Sequence, residues 1–399
     1  MDNTHIKLYD LLTKGSHDDI KKKLLSEIYN IAYYCENIVG EGFFGKVKVP
    51  AVGPYMSIKI DNNIIVLPVV IKEAKANVGF FIDEIDKTLI INSTSNMTCE
   101  ALILFILSKA WYKEQNLHLP FLMGLGSCNQ QVTGISHIIL EKCGLPDSIV
   151  TIDRANYFGN PHTISADNPI ILSYLSNIAG LVDYLMVNQT NDMMCLLPNE
   201  KNIHMPEIID NICIFYLHTT HFLWEKFGLT LGDQHVENVF IHWINAMSRC
   251  GKRQLNNLEY ISYDVGKSFI KVKTHGMIYK IGDVGISVMN VQKTVMILGN
   301  ISNGDNMTEC LKYKNKCYCF WDFILNFLSL LPPSLINKTI ISKIIDKHNI
   351  GLKYIPFIGL NVKYQKDFPN ELDILNDELY NSLRVSKPEG DDKNFVVNL

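Results

Sequence analysis

The chain has 399 residues, 47% of them hydrophobic and 20% charged, which excludes wholesale disorder and allows a sizeable core split over two domains or two packed lobes. A formal net charge of -4 gives no reason to expect a nucleic-acid binder, so a basic partner would need a local acidic site. The ten cysteines show no C-x-x-C pair or zinc spacing and read as reduced thiols, and no basic stretch followed by an apolar run opens the chain, so an intracellular location without a signal peptide is expected.

Residues 1–33 read as a helical extension. Ser16 caps an amphipathic segment that places Ile20, Leu24, Ile28 and Ile31 on one face. From about Tyr34 the pattern turns to strands: Ile38-Val39, then Val47 to Val52, Ser57 to Ile60 and Ile64 to Ile71. Between the first two lies Gly40-Glu41-Gly42-Phe43-Phe44-Gly45-Lys46-Val47. Glycines at this spacing let backbone N–H groups approach phosphate oxygens. Strands on both sides make the loop a hairpin flap, unlike Rossmann or Walker sites, where a helix follows the glycines. Phe43 and Phe44 at its tip would be costly exposed aromatics unless they fold down over bound phosphates and exclude water. Pro68 places an edge or bulge near the start of the run that ends at Lys72. Lys72 is either a snorkelling surface lysine or a buried functional cation, and Lys59 competes with it from the neighbouring strand. Lys72 ends the longer and more apolar run.

A hairpin over Val78 to Ile91 precedes an apolar helix capped at Ser95 or Thr98, with Glu100 in its first turn. Glu100 can serve the helix dipole or pair with a buried lysine. Two strands follow, Phe121 to Ser127 and Ile135 to Leu140, closing at Glu141-Lys142-Cys143-Gly144, where the Gly and Pro146 resemble a hinge. Helical periodicity then dominates through Ile170 to Val187 and Pro206 to Phe227, the latter ending at Gly228. A turn carries Asp233 and Asn238 five residues apart and feeds a short strand. Asp283 follows a later strand and is followed by Gly285, a placement suited to holding a metal ion. Residues 244–278 read as an insertion between these two acids. No segment is long and apolar enough to span a bilayer, and residues 386–399 read as a polar, frayed tail.

Taken in order, the glycine flap, Lys72, Glu100, Asp233 with Asn238, and Asp283-Val284-Gly285 resemble the protein-kinase superfamily. Gly40 to Val47 is similar to its phosphate-covering loop, and Val69-Val-Ile-Lys72 to its V-A-I-K strand. The long insertion and the helix around Trp321 are more similar to the divergent virion-associated Ser/Thr kinases of large DNA viruses. The resemblance implies an α+β, bilobal kinase-like fold: residues 34–143 form a β-rich N-lobe and residues 144–385 a mainly helical C-lobe. It implies an ATP-dependent protein Ser/Thr kinase with Mg²⁺ or Mn²⁺, acting on protein substrates, viral structural proteins among them, in host cytoplasm or virion. Asp233 would be the catalytic base. Lys72 would contact the α/β-phosphates and pair with Glu100, Asn238 and Asp283 would hold the metal, and Glu141, Lys142 and Cys143 would line the adenine hinge. Asp322 would lie beneath the catalytic loop.

The departures are Leu231-Gly232 where the family carries His-Arg, His235 in place of a Lys, Val284 in place of Phe, and no clear A-P-E sequence. They keep open two other readings, a small-molecule phosphotransferase of kinase-like fold and a non-catalytic scaffold.

Overall fold

The computed structural model describes residues 38–41, 45–48, 55–60, 63–74, 81–83, 88–92, 97–126, 137–143, 177–188, 192–194, 202–231, 235–244, 249–285, 287–291, 295–298, 320–350 and 369–399. The expected helix at 16–31, the loop tip Gly42, Phe43 and Phe44, and Asp233 lie outside these residues. The architecture is α+β, with small, mostly antiparallel sheets beside separate helices.

Strands β1 (Ile38–Glu41) and β2 (Gly45–Lys48) flank the glycine turn and pair antiparallel, with a register shift between Ile38 and Gly40. Next come β3 (Tyr55–Ile60) and β4 (Asn63–Ala74), the latter a β-branched run suited to a pleated surface. β4 alternates strictly: Ile64 and Val66 are exposed, while Leu67, Val69 and Ile71 are buried. Its first half pairs with β3 as far as Pro68, and its second half lies between β2 and a later strand. Pro68 thus sits where the strand changes partners, and its carbonyl accepts from the Lys142 N–H at 2.8 Å. A residue without an N–H is tolerated there because the ladder is already changing sides.

After the hairpin of β5 (Phe81–Asp83) and β6 (Thr88–Asn92) comes α1 (Met97–Tyr112). Its residues Ala101, Ile103, Leu104, Leu107, Ala110 and Trp111 are buried. β7 (Leu122–Gly126) and β8 (His137–Glu141) complete a sheet of order β1-β2-β4-β8-β7, with β3 attached to β4.

α2 (Ile178–Asn188), β9 (Asp192–Met194) and β10 (Asn202–His204) lead to α3 (Met205–Phe227), the central helix. Apolar residues cover α3 on nearly all sides, which suits a helix enclosed by the core. It opens with Pro206 in its first turn and ends at Gly228, whose left-handed φ of 59° lets its N–H close on the Leu223 and Trp224 carbonyls. Tyr216 on α3 stacks on Phe323 of the later helix α4 with centroids 3.9 Å apart.

Strand β11 (Leu229–Leu231) precedes Asp233 in the sequence, and a 3-10 turn, Val236–Asn238, follows it and leads into β12 (Val239–Trp243). Residues 244–278, read as an insertion, form β13 (Arg249–Cys250), β14 (Arg253–Gln254), β15 (Tyr260–Asp264) and β16 (Phe269–Lys273), and enter β17 (Met277–Ile281). β17 pairs with β12. β18 (Ser287–Val291) and β19 (Val295–Leu298) follow. They build a second sheet of order β11-β18-β19-β6-β5, in which β19 runs parallel to β6. One backbone ladder therefore reaches from β11 to β6, the strand before α1.

The remaining elements are α4 (Phe320–Ser329), α5 (Pro333–Ile336), α6 (Ile340–Lys347), α7 (Glu371–Leu375), β20 (Arg384–Val385) and β21 (Asn394–Val397). The end of the chain departs from the expected frayed tail. β21 pairs parallel with β15 over Asn394 to Val397, and Phe395 and Val397 are buried. Asn394 adds side-chain bonds to Ser262 and to the Glu389 carbonyl. The polar composition of 386–393 hides a four-residue strand whose partner lies far away in sequence.

Two consequences are measurable. Phe395→Ala should cost about 3–5 kcal/mol in chemical denaturation, the usual loss for an enclosed aromatic; a cost near zero would return the tail to a frayed segment. Asp210 on α3 accepts the Ile340 and Ile341 N–H groups at 2.8 and 2.9 Å, and burial lifts its carboxyl from an ordinary 3.8 to about 6. The folded protein then binds this proton more tightly than the unfolded chain, so the ionised group costs stability above about pH 6 and the cost vanishes below about pH 4. Relative to Asp210→Asn, the wild type should gain up to about 3 kcal/mol between pH 7 and pH 4. A pH-independent difference would contradict the raised value.

Candidate active site

Two of the sequence-predicted residues meet a third across long stretches of chain. Lys72, near the end of β4, extends its ammonium to Glu100 of α1, with Nζ at 2.8 Å from Oε1 and 3.0 Å from Oε2, and to Asp283 Oδ1 at 2.9 Å. Each residue is delivered by its element. β4 buries alternate apolar side chains up to Ile71, so Lys72 leaves the sheet on the other face. Glu100 lies in the first turn of α1, where a carboxylate also faces the helix's free N–H groups. Asp283 follows β17 with φ at 37°, a left-handed conformation that turns the chain sharply, and its Oδ1 accepts the Gly285 N–H at 3.2 Å.

Two glycines make this possible. A Cβ on Gly282 would lie 2.0 Å from the Phe240 ring, and the Gly282 N–H reaches the Asn238 carbonyl at 2.7 Å. A Cβ on Gly285 would lie 3.0 Å from Asp283 Oδ1 and 3.4 Å from Glu100 Oε2. Both carboxylates keep their places because no side chain stands at 285.

The electrostatics follow from burial and charge. Burial works against the Lys72 ammonium, but Glu100 and Asp283 outweigh it and hold its pKa above the usual lysine range. Burial pushes the Glu100 carboxyl up, so its ionised form depends on Lys72. Burial also works to raise Asp283, yet Lys72 prevails and keeps it below the ordinary carboxylate range. The Glu100 side chain is 7% exposed and that of Asp283 36%. The cluster is closed on the helix side and open on the aspartate side.

His235 stands half exposed before the 3-10 turn, 3.9 Å from Glu237. Asn238 ends that turn half buried. Asn238 and Asp283 offer an amide and a carboxylate, oxygen donors of the kind that suits a hard cation such as Mg²⁺. Gly40, Glu41, Gly45 and Val47 lie on the β1–β2 hairpin, and Val47 pairs with Lys72 in the ladder. The hairpin is thereby tied to the strand that carries the lysine. Asp322 is in the first turn of α4.

Glu141 and Cys143 end the crossing from β8. The Glu141 carboxylate faces the core and pairs there with Lys280 of β17. Cys143 is half buried, and burial pushes its thiol up to about 12.

Sequence reasoning missed the groups behind the site. His118, after α1, takes an N–H donated to its carbonyl by Ile281 at 3.1 Å and directs Nδ1 to the Tyr279 carbonyl at 2.6 Å. Its Nε2 is then free to accept from the Tyr263 hydroxyl at 2.8 Å, and burial drops its pKa to about 3, keeping it neutral. The available signal was an ionisable residue in an otherwise apolar run, in His118-Leu-Pro and in Met277-Ile-Tyr-Lys280-Ile. In comparisons with known proteins, no family model matches this chain and no curated protein matches it.

Lys72→Met should leave Glu100 buried without its counter-ion and cost about 3–5 kcal/mol at neutral pH. The deficit against wild type should shrink on acidification, because a protonated Glu100 no longer needs the lysine. Denaturation curves at pH 7.5 and pH 5 check this; a deficit that grows with acid would reverse the assignment.

Proposed function

We propose that the chain is an ATP-dependent protein kinase that transfers the γ-phosphoryl group of Mg·ATP to Ser or Thr hydroxyls. The observation that carries the reading is Lys72 held at 2.8 and 2.9 Å between Glu100 and Asp283. Phosphoryl transfer needs a cation placed on the phosphates and an acid kept ionised beside it, and the three residues supply both. In this reading residues 34–143 form the nucleotide lobe and 144–385 the larger lobe, with the β1–β2 hairpin covering the phosphates. Lys72 binds the α/β-phosphates, with Glu100 fixing its direction. Asn238 and Asp283 hold Mg²⁺, which when bound offsets charge on the phosphates. Asp233, which lies between β11 and β12 in the sequence, orients the substrate hydroxyl and accepts its proton.

His235 takes the place of a lysine beside the proposed γ-phosphate position. The turn lacks the arginine that would dock a phosphorylated segment, and the ladder of β18 and β19 with β11 and β6 supports a segment after Asp283 ordered by backbone pairing instead. Among the described residues no helix is long and apolar enough to cross a membrane.

A transfer assay with labelled ATP and Mg²⁺ or Mn²⁺ tests the reading, with basic proteins and small alcohols offered in parallel. Phosphorylated Ser or Thr should appear on protein, and Asp233→Asn and Asp283→Asn should each lower the rate at least about a hundredfold while melting as wild type does. Label only on small alcohols would move the reading to a small-molecule phosphotransferase. Nucleotide binding without transfer to anything would make the chain a scaffold.

A further inference from the structure

A second buried ion pair lies behind the crossing segment. Lys280 Nζ donates to Glu141 Oε2, and both side chains are 2% exposed. The Lys280 ammonium also lies 5.5 Å from the centre of the Trp111 ring, which stacks on Phe121. The groups around the pair are held neutral by burial: His242, 4.0 Å from Glu141 Oε1, has its pKa lowered to about 4, and the Cys143 and Cys250 thiols are pushed up.

The placement is specific. The Glu141 N–H is bound by the Phe121 carbonyl and the Lys142 N–H by the Pro68 carbonyl, so the backbone of the crossing is tied to the first sheet. Lys280 lies three residues before Asp283 on β17 and opposite Phe240 on β12, two residues after Asn238. The pair therefore joins the crossing to the strand that leads into Asp283. A buried ion pair adds little net stability over apolar groups of the same size, but its short, charge-assisted bond sets a distance and a direction.

We propose that Lys280 and Glu141 are positioning residues for the nucleotide base: their ion pair sets the spacing between segment 141–143, against which the base lies, and the strand that delivers Asp283. The proposal rests on the kinase reading above. The base end of ATP depends on this spacing. The phosphate end depends on Lys72, on the glycine hairpin and on the metal held by Asn238 and Asp283, whose spacing is kept by the β12–β17 ladder itself.

The test compares binding of Mg·ATP with binding of Mg·tripolyphosphate, which has no base, by calorimetry on the full chain. In the neutral double variant Glu141→Gln/Lys280→Met, Kd for ATP should rise about tenfold, the worth of roughly one hydrogen bond to the base. Kd for tripolyphosphate should stay at the wild-type value. Should that variant fail to fold, Glu141→Asp shortens the strut while keeping both charges, and the same selective weakening is expected. ATP binding at wild-type strength, or equal weakening of both ligands, overturns the positioning role, since a purely structural pair would not separate base from phosphate. A wild type that binds neither ligand sinks the kinase reading and this proposal with it, whereas a wild type that binds both beside an unaltered variant sinks the proposal alone.

Discussion

One ammonium group held between two carboxylates is the interaction on which the rest of this structure depends. Lys72, Glu100 and Asp283 come from a strand, a helix and a turn separated by up to 211 residues. With all three ionised the cluster carries one negative charge more than it neutralises. An excess charge costs heavily in a closed environment and little where water reaches it. The structure resolves this by leaving the excess on Asp283, the open member of the three. A cation arriving there meets an acid already held ionised by the lysine. The electrostatics of the cluster thus favour a cation at the Asp283 side.

Placing three charges this close constrains the backbone around them. Asp283 turns in a left-handed conformation, Gly282 passes against Phe240, and Gly285 leaves room for both acids. The strands on each side absorb these demands. β17 pairs with β12, which sets Gly282, next to Asp283, against Asn238, and β18 pairs with β11. β19 continues to β6, ahead of α1. The segment after Asp283 is thereby joined, through hydrogen-bonded strands, to the strand that precedes the helix carrying Glu100 in the sequence. The tail adds a distant support, since β21 closes one side of the sheet that β15 and β16 form before β17.

What could be read in advance follows from the range of each signal. Lys72 stands out because it ends an apolar, β-branched run, and Glu100 because it is the acid in the first turn of an apolar helix. The α+β class was legible from the change of period along the chain. The glycine hairpin was legible because two strand patterns enclose it, although its tip and Asp233 lie outside the described residues. Pairing at long range was not legible. Nothing local in Asn394-Phe-Val-Val397 says that it pairs with β15, and nothing local in Val295 to Leu298 names β6. Side-chain direction was hidden too: Glu141 was expected beside a nucleotide, and the alternation of β8 turns its carboxylate into the core instead.

Lys280 with Glu141 and Lys72 with Glu100 are chemically the same pair, and their surroundings separate their roles. At Lys280 the charges balance one to one, both side chains are 2% exposed, and the neighbouring thiols and imidazole are neutral. No net charge remains to attract a ligand, so a closed, balanced pair can set only distance and direction. At Lys72 a second acid upsets the balance and is 36% exposed, so the same chemistry faces outward with charge to spare. An ion pair in a fold holds parts together when its charges cancel out of reach of water. It becomes a site for chemistry when they fail to cancel at an opening.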